Sequence, residues 1–94
     1  MDLHTAFAKA LKRQRKDKGL SQEAFSDVSS RTYMSELERG LKNPTLDKIA
    51  ELSSIMGIHP LTLLTDCFLI KENIDIEVIC ARVSRELESL KKDE

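Results

Sequence analysis

Arg31, Ser35 and Arg39 recur every four residues in the stretch SSRTYMSELERGLKNPT, with Thr32 and Glu36 between them. On a helix this spacing gathers all five side chains on one side, away from Met34 and Leu37. Their groups are two guanidinium forks, two hydroxyls and a carboxylate, able together to donate and to accept hydrogen bonds. Such a row is either an ordinary solvated surface or a reader of base-pair edges. In a major groove each base pair shows its own pattern of donors and acceptors, and a helix fits its width. An Arg fork grips guanine O6 and N7 with two hydrogen bonds, worth about 1–3 kcal/mol of discrimination, while a carboxylate accepts from cytosine N4.

The other reactive residue types form no set. His4 and His59 lack companion ligands at metal spacing, and His59 precedes Pro60, where a helix-capping role fits. Cys67 and Cys80 have no neighbouring His or Cys, so they read as free thiols, Cys67 as a small buried apolar residue. No paired-carboxylate cleft, nucleophile–His set or phosphate loop is legible. The expectation is therefore a protein that is not an enzyme, with no catalytic residues, metal or cofactor.

The elements that must position the Arg31–Arg39 row are helical. Thr5–Lys18 forms a first helix with Phe7, Ala10, Leu11 and Gln14 as its inward stripe, and Gly19 provides a left-handed stop. Ser21 caps a second helix, QEAFSDV, with Phe25 and Val28 inward. Ser30 caps a third, from Arg31 to about Arg39, anchored by Met34 and Leu37 and stopped at Gly40. Pro44 holds Asn43 extended in a loop. Thr45 caps a fourth, LDKIAELSSIM, whose apolar positions are Leu46, Ile49, Leu52, Ile55 and Met56; periodicity leaves open which of the last two points inward. Pro60 opens a fifth, PLTLLTDCFL. A last amphipathic stretch over 74–92 carries Ile76, Cys80, Val83, Leu87 and Leu90 at spacings of four, three, four and three, a seam for a partner helix. Strand-like alternation is confined to IDIEV, so the fold class is all-α.

Bulk properties agree with a small binding protein. Ninety-four residues hold one domain, divided here into a core unit over 1–70 and a terminal helix over 71–94 for dimerisation or packing, joined at IKEN. Aromatics are 4% with no Trp, which disfavours stacking on single strands. No signal-peptide or membrane-spanning run is present, so a cytoplasmic protein with no membrane partner is expected. Net charge is −1, yet residues 1–43 hold nine Lys/Arg against six Asp/Glu, and residues 44–94 hold six against ten. The basic excess lies in the half that carries the row, which permits a nucleic-acid face. Apart from Arg15, the run KRQRKDK, interrupted by Asp17 and sited on the first helix, reads as solvated surface rather than a targeting signal.

The pieces KGLSQEAF, RTYMSELERGLKNPTL and IMGIHPLTLL, taken in order, resemble the lambda-repressor/Cro-like helix-turn-helix family, often called the XRE family. The resemblance covers residues 5 to 66. It implies a five-helix DNA-binding domain, to which this chain adds a C-terminal amphipathic helix. It also implies roles. Gln22 would grip a phosphate and support the reading helix. Arg31, Thr32, Ser35 and Glu36 would face bases, and Tyr33 would touch backbone or a thymine methyl. Arg39, Lys42 and Asn43 would hold phosphates, and Arg15 and Glu38 would pair to lock the first helix to the third. One departure stands out: from Gln22 to Ser30 is eight residues against the family's usual ten, and no Gly ends the second helix. A short second helix and a tight turn are implied.

The function expected is that of a sequence-specific regulator of transcription bound to a double-stranded DNA operator, as a homodimeric repressor. Phage-type repressor, antitoxin and controller of a restriction-modification operon all fit. The alternative is a protein-interaction module, in which the acidic C-terminal half binds a protein partner and DNA binding is weak or lost.

Overall fold

The computed structural model describes residues 1–91. The last three residues of the expected 71–94 element, Lys92, Asp93 and Glu94, lie outside the described residues. Five α-helices and one short 3-10 turn follow in order: α1 (Leu3–Asp17), the turn Gln22–Phe25, α2 (Arg31–Glu38), α3 (Leu46–Met56), α4 (Pro60–Glu72) and α5 (Ile76–Lys91). No strand occurs among the described residues, and IDIEV enters α5.

Local chemistry sets most helix ends. α1 starts two residues before Thr5 because the Asp2 carboxylate accepts the Thr5 N–H at 2.8 Å. That hydrogen bond holds the Asp2 carboxyl below its ordinary range. Ser30 accepts the Tyr33 N–H and Thr45 the Lys48 N–H, each at 3.1 Å, so both expected caps are formed. His59 Nδ1 accepts the Leu61 N–H at 3.0 Å, with Pro60 at the first helical position. Ser21 makes no side-chain cap. The expected helix QEAFSDV is instead a single 3-10 turn over Gln22–Phe25, followed by turn residues into Ser30. Eight residues leave no room for a full second helix and the reversal of direction after it.

The core joins the first four helices and the 3-10 turn. Leu11, Phe25, Met34, Leu37, Leu52 and Leu63 are its largest fully buried apolar side chains, each worth about 1.5–3 kcal/mol of transfer from water. Phe7 and Ala10 lie with them, and Gln14, at the edge of the α1 stripe, is half-buried. On α3 the inward residue of the ambiguous pair is Met56, at 4% exposure, and Ile55 packs at the margin. Leu46 shares the helical phase but not the burial: it is 78% exposed in the first turn, beyond the reach of the core. Cys67 is buried, and burial pushes its thiol up, away from the reactive thiolate.

α4 continues through the expected joint to Glu72, and the chain reverses at Asn73, at φ 53°. α5 packs on α4 near its start, and every described residue from position 81 onward is exposed. The molecule extends 45 Å along its longest axis. No single helix is long and apolar enough to cross a membrane among the described residues.

Ser53 Oγ is fully buried inside α3 with no hydrogen-bond partner among the described residues. A buried hydroxyl without a partner costs about 1–3 kcal/mol. Ser53→Ala should therefore raise the unfolding free energy by about 1 kcal/mol in urea titration. A loss of similar size would mean that the hydroxyl is bonded in solution.

Candidate nucleic-acid interface

α2 has only eight residues, too few to be stable alone, so its orientation must come from its anchors. Met34 and Leu37 hold one side in the core at zero exposure. Gly40, at φ 74°, ends the helix: its N–H and that of Leu41 return to the carbonyls of Leu37 and Glu36 at 3.1 and 2.9 Å.

The third anchor is ionic. Arg15 Nε and Nη2 donate to the two carboxylate oxygens of Glu38 at 2.6 and 2.9 Å, a bidentate pair with side chains only 11% and 4% exposed. Arg15 Nη1 donates to the Leu20 carbonyl at 2.8 Å, which the reversal at Gly19 brings within reach. Gln22 Nε2 donates to Glu38 at 3.2 Å. One carboxylate thus ties together α1, the 3-10 turn and α2. Bonding to Glu38 raises the Arg15 guanidinium above its ordinary value, against the opposing loss of hydration. The sign follows from linkage: stabilisation from a raised cation is complete below the unfolded value and is lost only above it. Neutral pH leaves this pair intact.

With α2 fixed, its outer side and the 3-10 turn form one shallow concavity lined by Gln22, Arg31, Thr32, Ser35, Glu36 and Arg39. Six of the nine residues expected to meet DNA are therefore together. Arg31 and Thr32 are exposed, as is Arg39 at the C-terminal end, while Ser35 and Glu36 are half-buried between them. Arg31 Nη1 rests on Glu23 at 3.2 Å, both side chains over 70% exposed. Such a surface pair holds by about 0–1 kcal/mol, so Arg31 can leave it for a base or phosphate at little cost.

The other three sit elsewhere. Lys42 is beside the concavity, 3.8 Å from Glu36, and offsets part of that acid's repulsion toward phosphates. Tyr33 packs half-buried against the core with the Lys48 ammonium 5.8 Å above its ring. Asn43 is exposed, next to Pro44 at the mouth of a different, apolar hollow under α1 and α4.

One ionic site was not legible in the sequence. Asp66 of α4, 6% exposed, accepts from both Arg13, through Nε at 2.9 Å and through Nη2, and from Gln14 at 3.0 Å. It ties α1 to α4 as Glu38 ties α1 to α2. Arg13, though exposed, is thus paired, as Arg15 is, while Lys12, Lys16, Asp17 and Lys18 of the same run stay on the free surface. The available signal was that Asp66 is the sole acid in LTLLTDCFLI. No group of His, Cys, Asp or Glu able to hold a metal ion occurs among the described residues.

A helix-turn-helix family model matches residues 11–63, more than half of the chain. The uncharacterized HTH-type transcriptional regulator y4dJ of Sinorhizobium fredii is 37% identical over 67 residues, spanning 69% of this chain and 87% of that protein. The control protein C.BamHI of Bacillus amyloliquefaciens is 45% identical over 47 residues, spanning 48% of this chain and 58% of that protein. Among solved structures, the clp gene regulator ClgR from Corynebacterium glutamicum superposes with a TM-score of 0.69 at 26% identity, over 94% of this chain and 93% of that one. The hypothetical transcription factor NHTF from Neisseria gives 0.61 at 32% identity, over 67% and 75%.

Removing one member of the Glu38 knot should cost far more than removing both. Glu38→Gln leaves the Arg15 charge buried without a counter-charge and should lower stability by about 3 kcal/mol, whereas Arg15→Met with Glu38→Leu should recover most of it. Urea titration of both variants checks this, and a single-variant loss below about 1 kcal/mol would show the pair to be solvated.

Proposed function

The chain belongs to the XRE-type helix-turn-helix family of DNA-binding transcriptional regulators, and from that premise we propose a homodimeric repressor that reads the major groove with α2. The observation that carries this reading is the shared concavity of Gln22, Arg31, Thr32, Ser35, Glu36 and Arg39, held outward by the core contacts of Met34 and Leu37 and by the buried Arg15–Glu38 pair at the flank of the same helix. Arg31 is the base reader, with Thr32, Ser35 and Glu36 beside it. Gln22 at the start of the 3-10 turn and Arg39 at the end of α2 flank them and take phosphates, with Lys42 as a further cation. Tyr33 and Asn43, set apart from the concavity, meet the duplex only at its backbone.

Two subunits related by a two-fold axis would place two copies of α2 in successive major-groove faces, with half-sites about 34 Å apart or a multiple of it. Ile76, Cys80, Val83, Leu87 and Leu90, all exposed on α5, supply the seam of the dimer in this reading, and residues 71–94 act as its arm. Repression by covering a promoter is the simplest output for so small a chain. A cytoplasmic location goes with that role. Among the three biological jobs, identity to a control protein favours the controller. The exposed seam also favours a second reading, in which it binds a different protein. Sedimentation of the isolated chain separates the two, since only the first gives a dimer without a partner.

Selection of bound duplexes from a random pool should yield a two-fold symmetric site. Arg31→Ala should then relax base preference at one position of each half-site by about 1–3 kcal/mol. Raising salt from about 50 to 200 mM should weaken binding steeply as phosphate counterions are released. Unchanged preference in the variant would remove Arg31 from the reading role, and a flat salt response would favour the protein-interaction alternative.

A further inference from the structure

We propose that α5 pairs antiparallel with α5 of a second copy, in a register centred on Val83, and that Leu87 and Leu90 of each copy close a groove between α4 and α5 of the other. The proposal rests on the homodimer reading above and adds the direction and register of the pairing.

α5 presents more apolar surface than its own chain covers. Ile76 is 47% exposed, Val83 46%, Leu87 57% and Leu90 61%, and they share one side of a helix about 24 Å long. The body of the molecule adds a second uncovered surface. Where α5 leaves α4, a groove of about 340 Å³ is lined by Leu61, Thr65 and Leu69 of α4 and by Ile76 and Cys80 of α5. Leu61, at 62% exposure, has no cover within the chain. Seam and groove are continuous, because Ile76 and Cys80 belong to both.

Reversal maps the two ends of the seam onto each other and sets Cys80 opposite Glu86. With Val83 opposite its own copy, Ile76 falls opposite Leu90 of the second copy and Ile79 opposite Leu87. Antiparallel pairing therefore sets the far, projecting end of each α5 against the near end of the other. Leu87 and Leu90 arrive where the groove is open, and Leu61, Leu69 and Ile76 lose their contact with water together. In a parallel pair Leu87 and Leu90 meet only their own copies, and the α4 side of the groove stays wet. Charge suits both arrangements: Lys91 falls opposite Asp75 across the antiparallel pair, and Glu86 faces Lys91 across the parallel one. Apolar burial chooses, and it favours the antiparallel form.

Thiol chemistry reads the direction. In the antiparallel register Cys80 lies opposite position 86, so the two Cys80 residues are about six residues, or about 9 Å, apart along the axis. A disulfide needs Cα atoms within about 7 Å. A parallel pair would put the two Cys80 residues face to face. Cys67, 1% exposed, stays out of the reaction.

The test treats the native protein and a Cys80→Ser/Val83→Cys variant with diamide, at concentrations where sedimentation has fixed the oligomeric state, and resolves them on non-reducing gels. Val83 is on the helix surface, so folding is expected to survive and circular dichroism checks it. The expected result is a sedimenting dimer in which position 83 joins the two chains and native Cys80 does not. Native Cys80 joining as readily would overturn the antiparallel register. A dimer in which neither position joins would move the interface off this seam. A monomer would remove the homodimer reading itself, and the register with it.

Discussion

The carboxylate of Glu38 is the point on which the proposed reading surface depends. It sits at the end of a helix too short to hold itself and receives donors from two other segments. Its pair with Arg15 is not primarily a source of stability, since desolvation offsets much of the attraction between buried ions. What it supplies is geometry. A fork on a carboxylate permits one orientation, and that orientation fixes how α2 leaves the body. Gln22 shares the same oxygen as one Arg15 nitrogen, so the 3-10 turn and α2 are set by a single group.

The same logic explains the division of labour on α1. Its inner stripe packs the core, and its two flanks each end in an arginine: Arg15 toward α2, Arg13 toward α4. Lys9, Lys12 and Lys16 are left on its outer side. A run of similar cations is thus divided by helical phase into two locks and a solvated face. Net charge conceals this, as it conceals the excess of base in the half that carries the interface. The acids of α2 divide in the same way. Glu38 is turned inward as a structural ligand, while Glu36 stays at the surface, moderated by Lys42. In the proposed role, one carboxylate among cations would let this surface discriminate among bases as well as adhere to phosphate.

Much of this was legible where the determinants are local. Ser30 and Thr45 could be read as caps because a cap needs only the next three residues. Met34 and Leu37 could be placed in the core because helical phase fixes them opposite the polar row. The Arg15–Glu38 pair came through family resemblance, which carries information that spacing does not. The misses have physical causes. The segment after Ser21 has helical composition, but the eight residues to Ser30 must include a reversal, and length won over propensity. Leu46 has the right phase in a turn that nothing covers. Arg13 and Asp66 are 53 residues apart, and no local pattern announces a partner at that distance.

In the proposed role, one outward side of α2 and the turn before it meets the duplex while the rest of the molecule only positions it. The most direct measurement is side-chain and amide NMR of the protein titrated with a duplex recovered by selection. The expected result is shifts concentrated at Gln22, Arg31, Thr32, Ser35, Glu36 and Arg39, with the Arg15 Nε–H that donates to Glu38 protected from hydrogen exchange throughout. Shifts confined to α5, or to the lysines on the outer side of α1, with α2 unmoved, would contradict it.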